Sequence, residues 1–242
     1  MSGLYEQPLL LGSEHVDCHR RLRTSTLFAL LQTASIRHTE ELGMGRGKTL
    51  DRGLLWVVAR QYVVIDRMPV YDERIVLRSW PGNTMHVLFP RYYELVSEAG
   101  EILVRGSALW SLMEAETRTA AFPEEHGIVL EGVKTGRELP YLTKLLPIRT
   151  TERFSFEVPY SYVDLNGHMN NTRYFDVAED HLAAAREGRP LREVQTEYSS
   201  EATLGTTLTV DWGEERGRYF FSGAGEHPCF KMSLRYEDGS NA

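Results

Sequence analysis

The chain has only two cysteines, Cys18 and Cys229, among 242 residues. Two thiols cannot staple a disulfide framework, and their scarcity fits a reducing compartment. Long apolar runs are also missing: nothing approaches the roughly 20 residues that a membrane-spanning helix needs. The opening stretch "MSGLYEQPLLLGSEH" has no basic region followed by an extended apolar core, so it does not read as a secretory signal. A surplus of positive charge is absent too. The 34 acidic residues outnumber the 27 basic ones, for a net charge of −7, which argues against general nucleic-acid binding. No serine stands in a Gly-x-Ser-x-Gly elbow, which argues against an α/β-hydrolase nucleophile. These absences leave a soluble, cytoplasmic globular protein as the expectation, and a hydrophobic content of 42% is ample for a core.

What the chain does contain is one pattern written twice. Residues 26–43, "TLFALLQTASIRHTEELG", space Leu27, Leu30, Leu31, Ala34 and Leu42 as one face of a helix. Thr24 or Ser25 is available to cap its start, and Gly43 to end it. Strand-like segments rich in Val, Ile, Tyr and Trp follow over 54–66, 73–82, 85–97 and 101–114, with Pro90 marking a bulge or an edge. The second half repeats the order: a strand over 152–163, a helix over 172–187, then strands over 193–202, 207–215, 217–225 and 229–237. Between the halves, residues 122–147 are mixed in polarity and read as a surface connector. The expected division is therefore 1–121, a connector over 122–147, and 148–242. One helix with a run of antiparallel strands, twice, predicts an α+β protein. A sheet curled around a single helix is the layout of a hotdog fold, here in tandem, and Ala183, Ala184 and Ala185 would let the second sheet approach its helix closely.

The densest chemistry lies in "YSYVDLNGHMNNTRY" (160–174). If this stretch stays extended, Asp164, Asn166 and His168 share one face, with a helix beginning near Asn170 or Asn171. A helix start needs one or two capping groups, not five polar residues. A carboxylate, a carboxamide and an imidazole beside unpaired N–H groups suit acyl transfer to water. The N–H groups polarise a carbonyl, and the carboxylate or imidazole deprotonates water. Other clusters carry less. "HVDCH" (15–19) has no second Cys or His group to complete a metal site. "EERGR" (214–218) reads as a hairpin turn, and the four tryptophans read as core aromatics.

The motif "DLNGHMNNTRY" resembles the Asp-x-Asn-x-His-x-Asn-Asn-x-x-Tyr signature of acyl-acyl-carrier-protein thioesterases. "TEYSSEA" (196–202) is similar to that family's Glu-Tyr-x-x-Glu-Cys segment, with Glu201 at the glutamate and Ala202 in place of the cysteine. "LLWVVARQYVVIDRMPVYDE" (54–73) and "ALWSLMEAETRTAAFPEE" (108–125) resemble its Trp-Val-Val strand and its Trp-x-x-Met-x-x-x-Thr-Arg stretch. The resemblance implies tandem hotdog domains, the first binding the acyl chain and the second catalytic, without the N-terminal import extension of plant members. It implies hydrolysis of fatty acyl-acyl carrier protein with no cofactor and no metal. Asp164 and His168 would activate or position water, Glu201 would orient His168 or share the base role, and Asn166 would hold the carbonyl or the water. The backbone N–H groups of Gly167 and His168 would form the oxyanion hole. Without the cysteine, water attacks directly.

The first half keeps Asp17 and His19 of "EHVDCHRRLRTST" (14–26) but loses the Asn pair to arginines, which marks it as chemically retired. Its helix is expected to hold the acyl tail, with Leu30 and Ala34 on the slot. The expected partner is acyl carrier protein, with no nucleic acid and no membrane, and a homodimer is left open. Arginines such as Arg20, Arg21 and Arg23 are candidates for docking the acidic carrier. The rivals on the same fold are an acyl-coenzyme A thioesterase and a non-catalytic acyl-binding protein.

Overall fold

The strand-forming stretches build a single ten-stranded antiparallel sheet in the computed structural model, which describes residues 3–137 and 139–237. The first half runs β1 (Tyr5–Leu10), α1 (Thr24–Glu41), β2 (Leu54–Ile65), β3 (Arg74–Pro81), β4 (Leu88–Ser97) and β5 (Ile102–Glu114). The second runs β6 (Glu152–Glu157), α2 (Arg173–Glu179), α3 (Ala183–Arg186), β7 (Leu191–Tyr198), β8 (Thr207–Glu215), β9 (Arg218–Ala224) and β10 (Pro228–Tyr236).

The strand order is β1-β3-β4-β5-β2-β7-β10-β9-β8-β6. Counted from the two edges inward, both halves use their strands in the same sequence, so the sheet is related to itself by a pseudo-two-fold axis. Tyr62 opposite Gln195 is the middle of the five β2–β7 pairs. Phe28 of α1 stacks on Phe175 of α2 with ring centroids 4.1 Å apart. The duplication read from the sequence is thus a structural repeat, but the two sheets fuse into one through β2 and β7.

α1 turns Leu27, Phe28, Leu31 and Ala34 into the core, where they meet residues such as Leu77 and Leu95. Each fully buried side chain of this size contributes roughly 1.5–3 kcal/mol. The helix begins two residues earlier than its periodicity suggests. Arg23 is the N-cap, without a side-chain cap, and Thr24 and Ser25 lie inside the helix. Gly43 ends it as expected, at φ 72°, its N–H donating to the Glu40 carbonyl at 2.9 Å.

Four further departures have local causes. β1 is an edge strand whose "YEQPLL" shows little apolar alternation, and Pro8 is tolerated because only one neighbour pairs with it. Pro90 marks no bulge. It pairs with Leu109 of β5 and lies one residue beyond the last β3–β4 pair, Pro81 opposite Arg91, where its carbonyl accepts the Gly82 N–H (2.8 Å). The single helix expected over 172–187 breaks at Leu182, whose extended backbone (φ −97°, ψ 120°) drives a fully buried side chain into the core. The connector is a strap more than a surface coil. Gln195 Nε2 donates to the Thr143 carbonyl (2.7 Å), Ser107 Oγ to the Pro140 carbonyl (2.6 Å) and Leu145 N–H to Glu197 (2.8 Å).

Candidate active site

Residues 163–169 do not continue β6 as an extended face. They fold into a small hairpin. Val163 bridges Met169, the Asp164 N–H donates to the His168 carbonyl (3.0 Å), and the Gly167 N–H donates back to the Asp164 carbonyl (3.0 Å). Gly167 sits at φ 81°, in the left-handed region that glycine occupies without penalty. Asp164 is the hub: Oδ1 accepts the Asn166 N–H (2.8 Å) and Oδ2 accepts Asn170 Nδ2 (3.2 Å). Asn170 Oδ1 in turn accepts from the Thr172 N–H (2.9 Å) and hydroxyl (2.7 Å), just before α2 begins at Arg173. Asp164 and Asn170 therefore spend their hydrogen bonds on the shape of the loop. The Gly167 N–H is already used inside the hairpin, which removes it from the expected oxyanion pair. The His168 N–H makes no hydrogen bond among the described residues.

This loop is pinned to the segment that follows β7. The Met169 N–H donates to the Ala202 carbonyl at 2.7 Å, and His168 bridges Thr203. That docking carries Glu201 to the imidazole: Oε1 lies 3.2 Å from His168 Nε2. The same oxygen accepts from Arg118 Nη1 at 2.9 Å. Glu201 thus faces Nε2 of the imidazole. The side chain of Asn166 makes no hydrogen bond among the described residues and is available to a ligand.

Asp164, Asn166, His168 and Glu201 line one cavity of about 440 Å³. Its opposite wall belongs to the first half: Trp56 and Val58 of β2, Trp110 and Met113 of β5. Tyr174 and Tyr198 close it from the second half, and burial raises both phenols far above the usual tyrosine range. The cavity is thus polar at the 163–170 loop and apolar along β2 and β5. Leu30 and Ala34 do not line it. Gln32 is the α1 residue that does, and residues two apart on a helix point about 200° apart, so both neighbours face away. Ala34 is fully buried in the core. Among the tryptophans, Trp56 and Trp110 prove to be cavity walls. Trp56, Val58, Met113 and Arg118 lie in the two first-half segments that resemble the family's, but their spacing gave them no place at the site, because only the non-local β2–β7 pairing brings them to the loop.

The first half contains the same hairpin. Val16 bridges Leu22, the Asp17 N–H donates to the Arg21 carbonyl (2.8 Å), and Asp17 Oδ1 accepts the His19 N–H (2.8 Å). Arg20, at φ 63°, takes the place of Gly167. The Leu22 N–H donates to the Pro69 carbonyl (2.8 Å) as Met169 does to Ala202. In this register His19 stands at Asn166, Arg21 at His168, and Met68 at Glu201. The expectation that His19 survives as a counterpart of His168 is corrected: the position of His168 holds an arginine, Arg21. No group of three His, Cys, Asp or Glu side chains that could hold a metal occurs among the described residues.

Residues 3–126 match the acyl-ACP thioesterase N-terminal domain, and residues 146–223 match its C-terminal domain. The chain is 26% identical over 259 residues to the chloroplastic palmitoyl-acyl carrier protein thioesterase of Cuphea hookeriana, covering 98% of this chain and 60% of that protein. It is 24% identical over 265 residues to the Arabidopsis thaliana protein of the same name, covering 98% and 61%. The chain thus spans about 60% of the length of these plant relatives. In fold, it is similar to the crystal structure of an acyl-ACP thioesterase from Bacteroides thetaiotaomicron, with TM-score 0.84, 20% identity and coverage of 98% and 100%. It is likewise similar to the 12:0-ACP thioesterase from Umbellularia californica, with TM-score 0.81, 20% identity and 98% coverage of both chains. With both domain families matched in order along one tandem hotdog sheet, the chain belongs to the acyl-acyl-carrier-protein thioesterase family.

Proposed function

We propose that this protein hydrolyses fatty acyl-acyl carrier protein to free fatty acid and carrier protein, by direct attack of water on the thioester. The observation that carries the reading is the His168–Glu201 contact at 3.2 Å, set at the polar end of a cavity whose other wall is apolar. Names of the plant relatives and of the Bacteroides protein support carrier protein as the donor.

In this reading the acyl chain lies along Trp56, Val58 and Met113, where each buried CH₂ contributes roughly 0.8 kcal/mol. His168 Nδ1 takes a proton as water oxygen bonds to the thioester carbon. Glu201 stabilises the imidazolium that results. Asn166 and the His168 N–H offer hydrogen bonds to the oxyanion. The tetrahedral intermediate collapses with cleavage of the C–S bond. A thiol of pKa about 8.5 leaves readily, and the imidazolium returns its proton to the thiolate. Asp164 holds the loop in shape, with both carboxylate oxygens already engaged. Cys18 is free and exposed and Cys229 free and buried; a reducing setting, which we propose is the cytoplasm, would keep both as thiols.

The test is thiol release from a panel of acyl-carrier-protein substrates of varied chain length, with matched coenzyme A esters alongside. Faster turnover of the carrier-protein series is expected. Equal or faster turnover of the coenzyme A series would replace the donor, and no release from either would remove the hydrolase.

A further inference from the structure

Glu201 is engaged twice through one oxygen. Oε1 meets His168 Nε2 at 3.2 Å and Arg118 Nη1 at 2.9 Å. The imidazole and the carboxylate come from the second half, whereas Arg118 comes from the first, in the turn that follows β5. An isolated ion pair this exposed is worth little in stability, about 0–1 kcal/mol. Two features set this one apart. All three side chains line the same cavity, so the pair lies where substrate must come. The backbone beneath the arginine is also unfavourable: Arg118 has φ 56°, left-handed, a conformation that glycine adopts more readily. The turn itself is fixed by main-chain bonds, the Arg118 N–H to the Glu114 carbonyl (3.0 Å) and the Glu114 N–H to the Thr119 carbonyl (2.9 Å). Neither bond needs an arginine side chain.

We infer that Arg118 is a positioning residue for hydrolysis: it holds the Glu201 carboxylate so that Oε1 faces His168 Nε2, and so fixes which imidazole nitrogen is free to accept a proton. Without it, a carboxylate on a half-exposed loop is free to turn to solvent, and the imidazole loses the partner that sets its tautomer. The consequence reaches beyond one residue. The first half supplies both the acyl wall and the group that orients the acid–base pair, so the second half is not a self-sufficient catalytic unit.

This inference rests on the hydrolase reading, and the experiment separates the two. Arg118→Gly, Arg118→Lys, Glu201→Gln, His168→Ala and the double variant Arg118→Gly/Glu201→Gln are assayed in the full chain for thiol release from acyl carrier protein, with Tm measured for each. Arg118→Gly removes the side chain and relaxes the left-handed turn. Its kcat is expected to fall about tenfold or more, with KM within about twofold, as for a misplaced reacting group. Its Tm should stay level or rise. Arg118→Lys should recover a measurable part of kcat. In the Glu201→Gln background, Arg118→Gly should add little, because both changes disable one unit. The inference is overturned if Arg118→Gly keeps wild-type kcat, if its loss of kcat follows a loss of Tm, or if its effect adds in full to that of Glu201→Gln. Normal turnover by His168→Ala would sink the hydrolase reading itself. An inactive His168→Ala beside an unimpaired Arg118→Gly would sink only the role of the arginine.

Discussion

The hairpins at 16–22 and 163–169 have one backbone and two fates. Each is closed by the same bridge, Val16 to Leu22 and Val163 to Met169, and each is centred on an aspartate that accepts the N–H two residues on. Among the side chains that differ on that shared frame, three bear on the site: Arg21 against His168, His19 against Asn166, Met68 against Glu201. In the first loop the Arg21 guanidinium donates to the Gly188 carbonyl at 2.8 Å, and His19 Nε2 lies 3.0 Å from the Arg186 carbonyl. Residues that would face a substrate are instead tied to the turn after α3. In the second loop the imidazole meets a carboxylate and an open cavity. The contrast separates what the hairpin shares, an aspartate at the hub, from what the proposed chemistry needs, a histidine and a glutamate around it.

The largest effect that would break this contrast is expected at Glu201. Glu201→Ala should lower kcat about a hundredfold or more, as loss of an acid–base partner does, while Met68→Ala leaves kcat unchanged; thiol-release assays on both variants decide it. Next come the walls. Val58→Trp fills the cavity along β2 and should shift preference toward shorter acyl chains across the substrate panel. Ala34→Phe overpacks a fully buried core position and should instead destabilise by about 1–3 kcal/mol, with the chain-length profile unmoved. A profile that moved with Ala34 and not with Val58 would return the tail to α1.

A smaller effect sharpens the role of the two aspartates. Asp164→Asn and Asp17→Asn both remove a charged acceptor from a hairpin hub, and each should lower stability by about 1 kcal/mol. Only Asp164→Asn should also slow turnover, by distorting the loop that carries His168. Equal effects on kcat would mean that the first loop is not retired.

The smallest expected effect concerns Glu179, which lines the pocket beside the first loop together with Thr24 and Tyr236. Its carboxyl is pushed up chiefly by burial, against hydrogen bonds donated by Thr24 and Tyr236 that favour the charged form. A carboxyl whose folded pKa lies above its unfolded value stabilises the fold fully at low pH, and that contribution is lost as pH rises through the folded value. Glu179→Gln should therefore be level with the wild type near pH 4 and gain in relative Tm toward pH 8. A relative Tm that fell with pH would reverse the assignment.

Much of this comparison was legible in the sequence, for physical reasons that also mark where legibility ends. β2 to β5 and β7 to β10 carry period-two patterns and β-branched residues, which report local burial on a sheet face. The duplication followed from their order. Asp164, Asn166 and His168 stood out because the density of polar groups there exceeds what a helix cap needs, and Glu201 through the resemblance of "TEYSSEA" to the family's segment. The register between the two loops did not follow, because each loop holds one aspartate and one histidine, which suggests that His19 corresponds to His168, whereas the hydrogen bonds align it with Asn166. The hairpin shape of 163–169 depends on a left-handed Gly167 that alternation alone does not reveal. Trp56, Val58 and Arg118 reach the site only through the pairing of β2 with β7, a contact between halves that neither half encodes by itself.

In the proposed reaction the chemistry resides on the second loop alone, at His168. Its most direct measurement is kcat for acyl-carrier-protein hydrolysis by His168→Ala and Arg21→Ala, made in parallel on folded proteins of matched Tm. A loss of about a hundredfold or more is expected for His168→Ala, and a change of less than about twofold for Arg21→Ala, whose guanidinium is bonded to the turn after α3 and does not line the cavity of His168. Comparable losses in both, or normal turnover by His168→Ala, would contradict that placement.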